Sequence, residues 1–378
     1  MHISYGSYEH IARRLKNNNV NIAVYGAGMI GEVIVPYLIE EYSLFDNILF
    51  FMDADTKKQG KFIRIGAREY LVQSPETLHN LPENTVLWIT NSNYAPIVKM
   101  LDEIEELRDT EGYIIPILQA MASKDPVEKI DVRVSNEPII PKKIHYCWFS
   151  RNPIPNYLQK CIDSWYKFCP DYEIIRWDED NYDVTKNTYM QQAYDARKWG
   201  FVPDIARLDI LYQYGGIYLD TDVELIRSID DLLYQPAFLG VEKWGNINTG
   251  GCSGAIPQHP AIKAMLDFRR NEKFILDDGS MNLTTCGFYE TKPLIAHGFK
   301  PNNTTQRIAD VTVYSSDFFH PYDYMSGETT ITENTRSIHH FNGGWLDEKK
   351  MDERKRTRLL YQQMLERMQV GTNEGSVY

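Results

Sequence analysis

FVPDIARLDILYQYGGIYLDTDVE, residues 201–224, decides the fold of the half of the chain that contains it. Ile205, Leu208, Leu211 and Tyr212 recur at helical spacing, which predicts a helix over 204–214. Asp204 follows Pro203 in position to cap that helix, and Gly215-Gly216 is placed to stop it. Residues 217–219 then read as a short buried strand. The strand runs out in Asp220-Thr221-Asp222, and in an open α/β sheet ligands bind beyond the carboxyl ends of the strands. Side chains at i and i+2 of an extended chain lie on one side of it. Two carboxylates so placed repel each other unless a cation stands between them. Mg²⁺ or Mn²⁺ suits such a pair and commonly bridges it to substrate phosphates. A bare D-x-D arises often by chance in solvated turns. The helix, the Gly-Gly break and the apolar strand around this one make it specific.

The stretch resembles the sugar-binding D-x-D region of glycosyltransferase family 32, and further segments fit that family in order. Residues 140–149, IPKKIHYCWF, resemble its opening strand, which implies that Trp148 stacks on the nucleotide base. Stacking of this kind is worth about 1–3 kcal/mol per base in nucleic-acid sites. His145 reads as structural. Residues 170–178 resemble the family's second strand. The resemblance puts Asp204 and Arg207 at positions that contact the donor sugar and its phosphate. Their i, i+3 spacing sets both on one helical face, where a helix cap and a local ion pair would look the same. Asn248, within Ile247-Asn248-Thr249-Gly250-Gly251, is implied to lie beside the donor sugar. Thr285-Cys286-Gly287 stands where the family often has Thr-x-Gly-Pro, with Phe288 in place of the proline. Residues 337–345, SIHHFNGGW, resemble the terminal signature, with Gly344 where serine is common. That likeness implies His339 first, and His340 second, as metal or diphosphate contacts.

At 378 residues the chain has room for two domains. Residues 1–125 read as a Rossmann-like nucleotide-binding domain. A helix over 11–17 leads into a strand over 21–25. Gly26-Ala27-Gly28-Met29-Ile30-Gly31 and a helix to 41 follow, and a strand over 48–52 ends at Asp53. Gly26, Gly28 and Gly31 allow a tight turn and close approach to a pyrophosphate at a helix N-terminus. Asp53 sits about where a ribose-binding carboxylate belongs, roughly 20 residues on. A strand over 85–90, a helix over 94–107 and residues 113–118 complete the unit. With neither a Tyr-x-x-x-Lys pair nor a proton-transfer constellation, the unit reads as a binder of a nucleotide (NAD-like or sugar nucleotide) or as a bare scaffold. Residues 126–138 read as a linker. Residues 139–378 read as a GT-A-type α/β domain. Beyond the strands already named, it carries helices over 158–168, 189–199 and 225–233 and a strand over 237–241. A charged helix over 347–369 closes it. That helix reads as solvated; the alternative is peripheral attachment to a membrane through Lys349, Lys350, Arg354, Lys355, Arg356 and Arg358.

Hydrophobic residues are 43% and charged residues 24%, ordinary for a soluble globular protein. The net charge of -12 offers no basic field, which argues against nucleic acid as a partner. Five cysteines, an odd number without a C-x-x-C pair, argue against a disulfide framework or structural zinc and suit a reducing compartment. Residues 1–10 lack an apolar signal core, and no stretch is long and apolar enough to span a bilayer. The expected location is cytoplasmic, with peripheral association at the inner face of a membrane as the alternative.

The expected activity is metal-dependent, retaining transfer of a hexose from a nucleotide-diphosphate sugar to a hydroxyl of a glycan or lipid-linked acceptor, in cell-surface polysaccharide synthesis. Asp222, Mn²⁺ or Mg²⁺, and His339 would hold the diphosphate, Asp220 would assist, and Asp204 and Arg207 would orient the sugar. Two alternatives stand beside it. One is an NAD-dependent sugar-nucleotide oxidoreductase or epimerase run by the first unit. The other is a non-catalytic scaffold.

Overall fold

A computed structural model describes residues 1–122, 133–341 and 348–373. The chain is α/β, as expected, and divides into two compact units. One is Met1–Lys124 together with Glu353–Tyr378; the other is Asp125–Asp352. The division differs from the expected one at its end, because the last helix belongs with the first unit. The linker expectation over 126–138 lies partly outside the described residues. Where it is described, Val134 N–H donates to Tyr234 O at 2.9 Å and Arg133 lies 3.8 Å over the Tyr234 ring. That end of the segment is therefore docked on the second unit.

Among its described residues the first unit holds seven strands: β1 His2–Ile3, β2 Asn21–Tyr25, β3 Ile48–Met52, β4 Phe62–Ile65, β5 Arg68–Gln73, β6 Thr85–Ile89 and β7 Glu111–Ile114. Their order is β1-β7-β6-β2-β3-β5-β4, and all neighbours are parallel except β4 with β5. The first long strand, β2, is central, and the chain winds outward from it in both directions, as in a doubly wound sheet. NIAVY, ILFFM and TVLWI are nearly continuous apolar runs, as a sheet covered on both faces requires. The β4–β5 hairpin escapes a search for apolar runs, because FIRI and REYLVQ alternate buried and exposed residues. The helix expected over 94–107 stops at Asp102 and is followed by a single 3₁₀ turn. The last helix, Glu348–Asn373, is not solvated all round. Tyr361, Met364 and Met368 are buried, and Arg367 is bound to Asp102 (2.8 and 2.9 Å) and to Met1 O. Lys355, Arg356 and Arg358 remain exposed; the side chains of Lys349, Lys350 and Arg354 lie outside the described residues.

The second unit holds β8 Lys143–Cys147, β9 Glu173–Trp177, β10 Gly216–Tyr218, β11 Val223–Leu225, β12 Ala237–Gly240, β13 Ser253–Ala255, β14 Gln306–Ile308, β15 Val311–Tyr314 and β16 Ser337–His339. Among the described residues seven of them form a mixed sheet, β14-β15-β12-β13-β10-β8-β9, and β11 pairs with β16 in a second, two-stranded sheet. β10 lies parallel to β8 and antiparallel to β13. Its side chains alternate between two cores. Ile217 and Leu219 pack with Trp165, Phe238 and Phe319, while Tyr218 faces Ile205, Leu208 and Leu211 of the helix Pro203–Tyr214. Of the helix expected over 225–233 only the 3₁₀ turn Asp230–Leu232 forms, and Leu225 at its start is the last residue of β11. A partner strand more than a hundred residues away decides the conformation there, and local periodicity carries no sign of it.

His145 on β8 is fully buried. Its Nε2–H donates to Gly215 O at 2.9 Å, and its Nδ1 accepts from Trp177 Nε1 at 3.1 Å. The ring is thereby held neutral, and burial lowers its pKa from 6.5 to about 4. In the unfolded chain the same ring takes up a proton as pH falls through 6.5. The stability due to this group is present in full above pH 6.5 and is lost progressively toward pH 4. Replacing it with glutamine, which keeps a donor for Gly215, should flatten the fall in denaturant midpoint between pH 7 and 5. An unchanged slope in His145→Gln would refute the assignment.

Candidate active site

The end of β10 and the start of β11 carry the two aspartates of the D-x-D. β11 is anchored from two directions. Trp165 Nε1 donates to Val223 O at 2.7 Å, and Leu225 N donates to Ser164 Oγ at 2.9 Å, both from the helix Asn156–Phe168. On its other side β11 pairs with β16 so that Val223 faces His339. This register brings Asp220, Asp222 and His339 together, each offering an atom within 4.8 Å of the others. His339 Nε2 lies 3.3 Å from Asp222 Oδ1, and its ring is stacked on Phe341 with centroids 4.0 Å apart. His340 does not join the group. Successive strand residues face opposite ways, and its Nε2 lies 3.0 Å from Glu224 Oε2 instead. The expectation of a second histidine ligand is corrected accordingly.

Behind the D-x-D lies a buried charge cluster. Arg207, only 3% exposed, gives Nη2 to Asp204, Nη1 to Asp220 Oδ2 at 3.2 Å and Nε to Pro203 O at 3.2 Å. Burial works against the guanidinium charge, but Asp220 and Asp204 outweigh it and hold the pKa well above the ordinary arginine value. Asp220 takes its other bond from Tyr218 Oη at 3.0 Å. Asp204 does not cap its helix, which has Val202 at the N-cap position. Its carboxylate turns inward to Arg207 and to Arg269, whose nitrogens lie 3.5 Å away. Arg269 is sandwiched between the Tyr189 and Tyr289 rings at 4.3 and 4.4 Å.

The loop 247–251 closes the cluster. Asn248 is buried. Its Nδ2 donates to Glu242 Oε1 at 2.7 Å, and its Oδ1 accepts from Gly250 N at 2.9 Å. Thr249 gives both its N–H and its hydroxyl, each at 2.7 Å, to Glu290, a buried carboxyl whose pKa burial raises. Gly250 O accepts from Asp220 N at 2.8 Å. A Cβ on Gly250 would overlap both Asp220 Oδ2 and Arg207 Nη1, and one on Gly251 would overlap the His320 ring. Trp148 stands one residue beyond β8, at the same sheet edge as Asp220, partly buried, with its Nε1 donating to Asn152 O at 2.7 Å. Gly250, Glu290, Arg269 and Tyr218 are site residues that sequence reasoning missed. The adjacent glycines after Asn248 were the one local signal.

In the first unit, Gly26 has φ +114°, and a Cβ there would stand 2.5 Å from Thr90 Oγ1; one on Gly31 would overlap Gly26 O. Gly28 is more open, its nearest neighbour being Lys58 Nζ at 3.9 Å from the Cβ position. Asp53 turns back on the loop: its Oδ2 accepts from Ala27 N at 2.7 Å and pairs with Lys58 Nζ at 3.2 Å.

Asp220, Asp222 and His339 fit a hard divalent cation. They supply carboxylate oxygen and one imidazole nitrogen, the donor types Mn²⁺ and Mg²⁺ accept. The group is also short of positive charge. Burial disfavours a proton on His339, yet Asp222 and Asp220 raise its pKa above the ordinary histidine value.

Residues 155–239 match the family model described as "Glycosyltransferase sugar-binding region containing DXD motif". The chain therefore carries a region similar to the sugar-binding region of glycosyltransferases of the D-x-D class. Inositol phosphoceramide mannosyltransferase 2 of Schizosaccharomyces pombe is 30% identical over 184 residues, 45% of this chain and 50% of that protein. Mannosyl phosphorylinositol ceramide synthase SUR1 of Saccharomyces cerevisiae is 31% identical over 163 residues, 40% of this chain and 41% of that protein. This chain thus spans half or less of the length of these relatives. A solved structure titled "PaToxG Glycosyltransferase" shares 18% identity, with 42% of this chain and 69% of that one covered at a TM-score of 0.31.

The packing at Gly250 yields a direct test. Gly250→Ala must displace either Asp220 or Arg207, so it should lower donor turnover at least tenfold, an effect of about 1.4 kcal/mol or more. The melting temperature should fall far less than for loss of Arg207. A Gly250→Ala protein with full turnover would show that the Arg207–Asp220 contact is dispensable.

Proposed function

We propose that the second unit transfers a hexose, with mannose as the first candidate, from a nucleotide-diphosphate sugar to an acceptor hydroxyl, with retention of anomeric configuration and dependence on Mn²⁺ or Mg²⁺. The observation that carries this reading is the meeting of Asp220, Asp222 and His339 at the carboxyl edge of the sheet, in front of Arg207. Mannose rests on the names of the two yeast relatives, which also point to a glycolipid acceptor.

Each residue then has a task. Asp222 and His339 hold the cation, which when bound neutralises the diphosphate as it leaves. Asp220, fixed by Arg207 and Tyr218, completes the cation's protein shell and faces the donor. Asp204 keeps Arg207 in place, and Arg207 directs its charge toward the sugar-phosphate side. Asn248 holds the loop beside the sugar, and Trp148 stacks on the base. No side chain of the group stands out as a nucleophile, so attack by the acceptor hydroxyl on the face the diphosphate leaves is the proposed course. Work on cell-surface glycans from the cytoplasmic face of a membrane, with Lys355, Arg356 and Arg358 toward the lipid, extends the same proposal. No helix among the described residues is long and apolar enough to cross a membrane.

The test is nucleotide release from a panel of UDP- and GDP-sugars, with Mn²⁺, with Mg²⁺ and with chelator. Release from one donor, abolished by chelator, is the expected result. Asp222→Asn should lower it by roughly two orders of magnitude or more, since several kcal/mol of charge stabilisation go with the cation. A folded Asp222→Asn protein with full turnover, or turnover indifferent to chelator, would remove the metal from the mechanism.

A further inference from the structure

His339 turns Nε2 toward Asp222, and its other ring nitrogen, Nδ1, is buried without a hydrogen-bond partner among the described residues. A second histidine stands beside it. His320, 1% exposed, has its ring centroid 5.4 Å from that of His339, with the rings inclined at 55°. Neither ring nitrogen of His320 has a partner among the described residues. Three unpaired nitrogens thus meet in two neighbouring buried rings. The large majority of buried side-chain polar atoms do find a partner, so such a concentration has a cause.

The backbone sets His320 alongside the strand that carries His339. It ends the short helix Ser316–Phe319, where its N–H donates to Ser316 O at 2.8 Å. That helix is tied to the approach to β16: Arg336 N donates to Phe318 O, and Thr335 Oγ1 to Asp317 O, both at 2.8 Å. Two glycines make room for the ring. A Cβ on Gly251 would stand 2.0 Å from His320 Nε2, and one on Gly240 would stand 3.2 Å from its Cε1. The ring also lines a cavity of about 10 Å³, the space of a single water, which Glu242 and Asp323 line as well.

A histidine that holds a cation through one nitrogen almost always donates its other N–H to a neighbouring acceptor, which fixes the ring and its tautomer. With a cation at Nε2, His339 carries its hydrogen on Nδ1, a buried donor that is costly to leave unpaired. We propose that His320 is the positioning residue of the cation group, receiving the Nδ1–H of His339 directly or across one water. His320 is then neutral and keeps its own hydrogen on the other nitrogen. A water in the adjoining cavity takes that hydrogen and donates in turn to a carboxylate, which has acceptor sites for several donors. The role needs the nitrogens of His320 and not its bulk, which separates it from a packing role. It rests on the cation part of the proposed function and is independent of the sugar and the acceptor.

The test is Mn²⁺ binding to the full chain, followed through the electron paramagnetic resonance of the free ion, with and without GDP and against a protein-free control. The wild type should bind the ion, and Asp222→Asn should lose it. His320→Phe, which keeps a ring and removes both nitrogens, should weaken binding at least tenfold, the scale for a partner that orients a metal ligand. His320→Gln, which keeps an acceptor, should lose less than His320→Phe. Circular dichroism checks that each variant folds. Wild-type affinity in a folded His320→Phe protein would overturn the proposal, and so would an equal or greater loss in His320→Gln, the result a packing role predicts. A second measurement needs no variant to fold. In long-range ¹H–¹⁵N spectra of the wild type, added Mg²⁺ should shift a ring nitrogen of His320 together with those of His339, and His320 nitrogens that stay unmoved would refute the link. A wild type that binds neither ion, with or without GDP, would remove the cation group and the role of His320 with it. Donor turnover in chelator then decides separately whether sugar transfer stands.

Discussion

A guanidinium almost sealed from water, shared between Asp204 and Asp220, is the interaction on which the site depends. Removing one member of such a cluster leaves a buried charge uncompensated, at about 3–5 kcal/mol. The consequence for geometry matters more than the energy. With one oxygen on Arg207 and the other on Tyr218, Asp220 cannot swing, and its chain neighbour Asp222 is presented to His339 at a fixed separation. One aspartate of the pair, Asp220, is thus shared between the frame and the cation group, while Asp222 belongs to the cation group beside His339. The pattern D-x-D treats the two alike; their surroundings do not.

The frame reaches outward in layers. Arg269, clamped by two tyrosine rings, holds Asp204 from behind, and Glu290 holds Thr249 so that Gly250 closes on Asp220. A glycine whose missing Cβ is filled by two charged side chains is a packing requirement of the site and owes nothing to backbone conformation. Asp204, Arg207, Asp220, Asn248, Thr249 and Glu290 are all hydrogen-bonded within this region, which makes that part of the arrangement rigid and intolerant of partial change.

This layering explains which parts were legible from the amino-acid order. The helix, the Gly-Gly break, the strand and the D-x-D could be read because each is local: a period, a stop signal and two charges at a strand end. His339 came from resemblance alone, since its pairing with Val223 spans 116 residues and leaves no local trace. Arg269 and Glu290 sit in ordinary helical sequence, and only tertiary contact distinguishes them from surface charges. Asp204 was misread as a cap because Asp after Pro at a helix start is a capping pattern. The ion pairs with Arg207 and Arg269 outcompete the backbone for it. The start of the helix expected over 225–233 fails for the same reason, since Leu225 is taken by the pairing of β11 with a distant strand.

The two glycine-bearing loops of the chain make the contrast physical. In the first unit the fingerprint is present and its glycines are sterically demanded, yet its own Asp53 supplies the anion that the Ala27 N–H receives, and Lys58 neutralises it. A pyrophosphate arriving there would have to displace an intramolecular carboxylate already in place. In the second unit the glycines after Asn248 admit charged side chains that converge on a common point, and those charges still lack a full counter-charge, as the raised pKa of His339 records. A loop that satisfies itself needs no ligand to be stable. A cluster left short of positive charge would be stabilised by a cation, as the proposed function requires. That asymmetry, more than the motifs themselves, places the chemistry in the second unit.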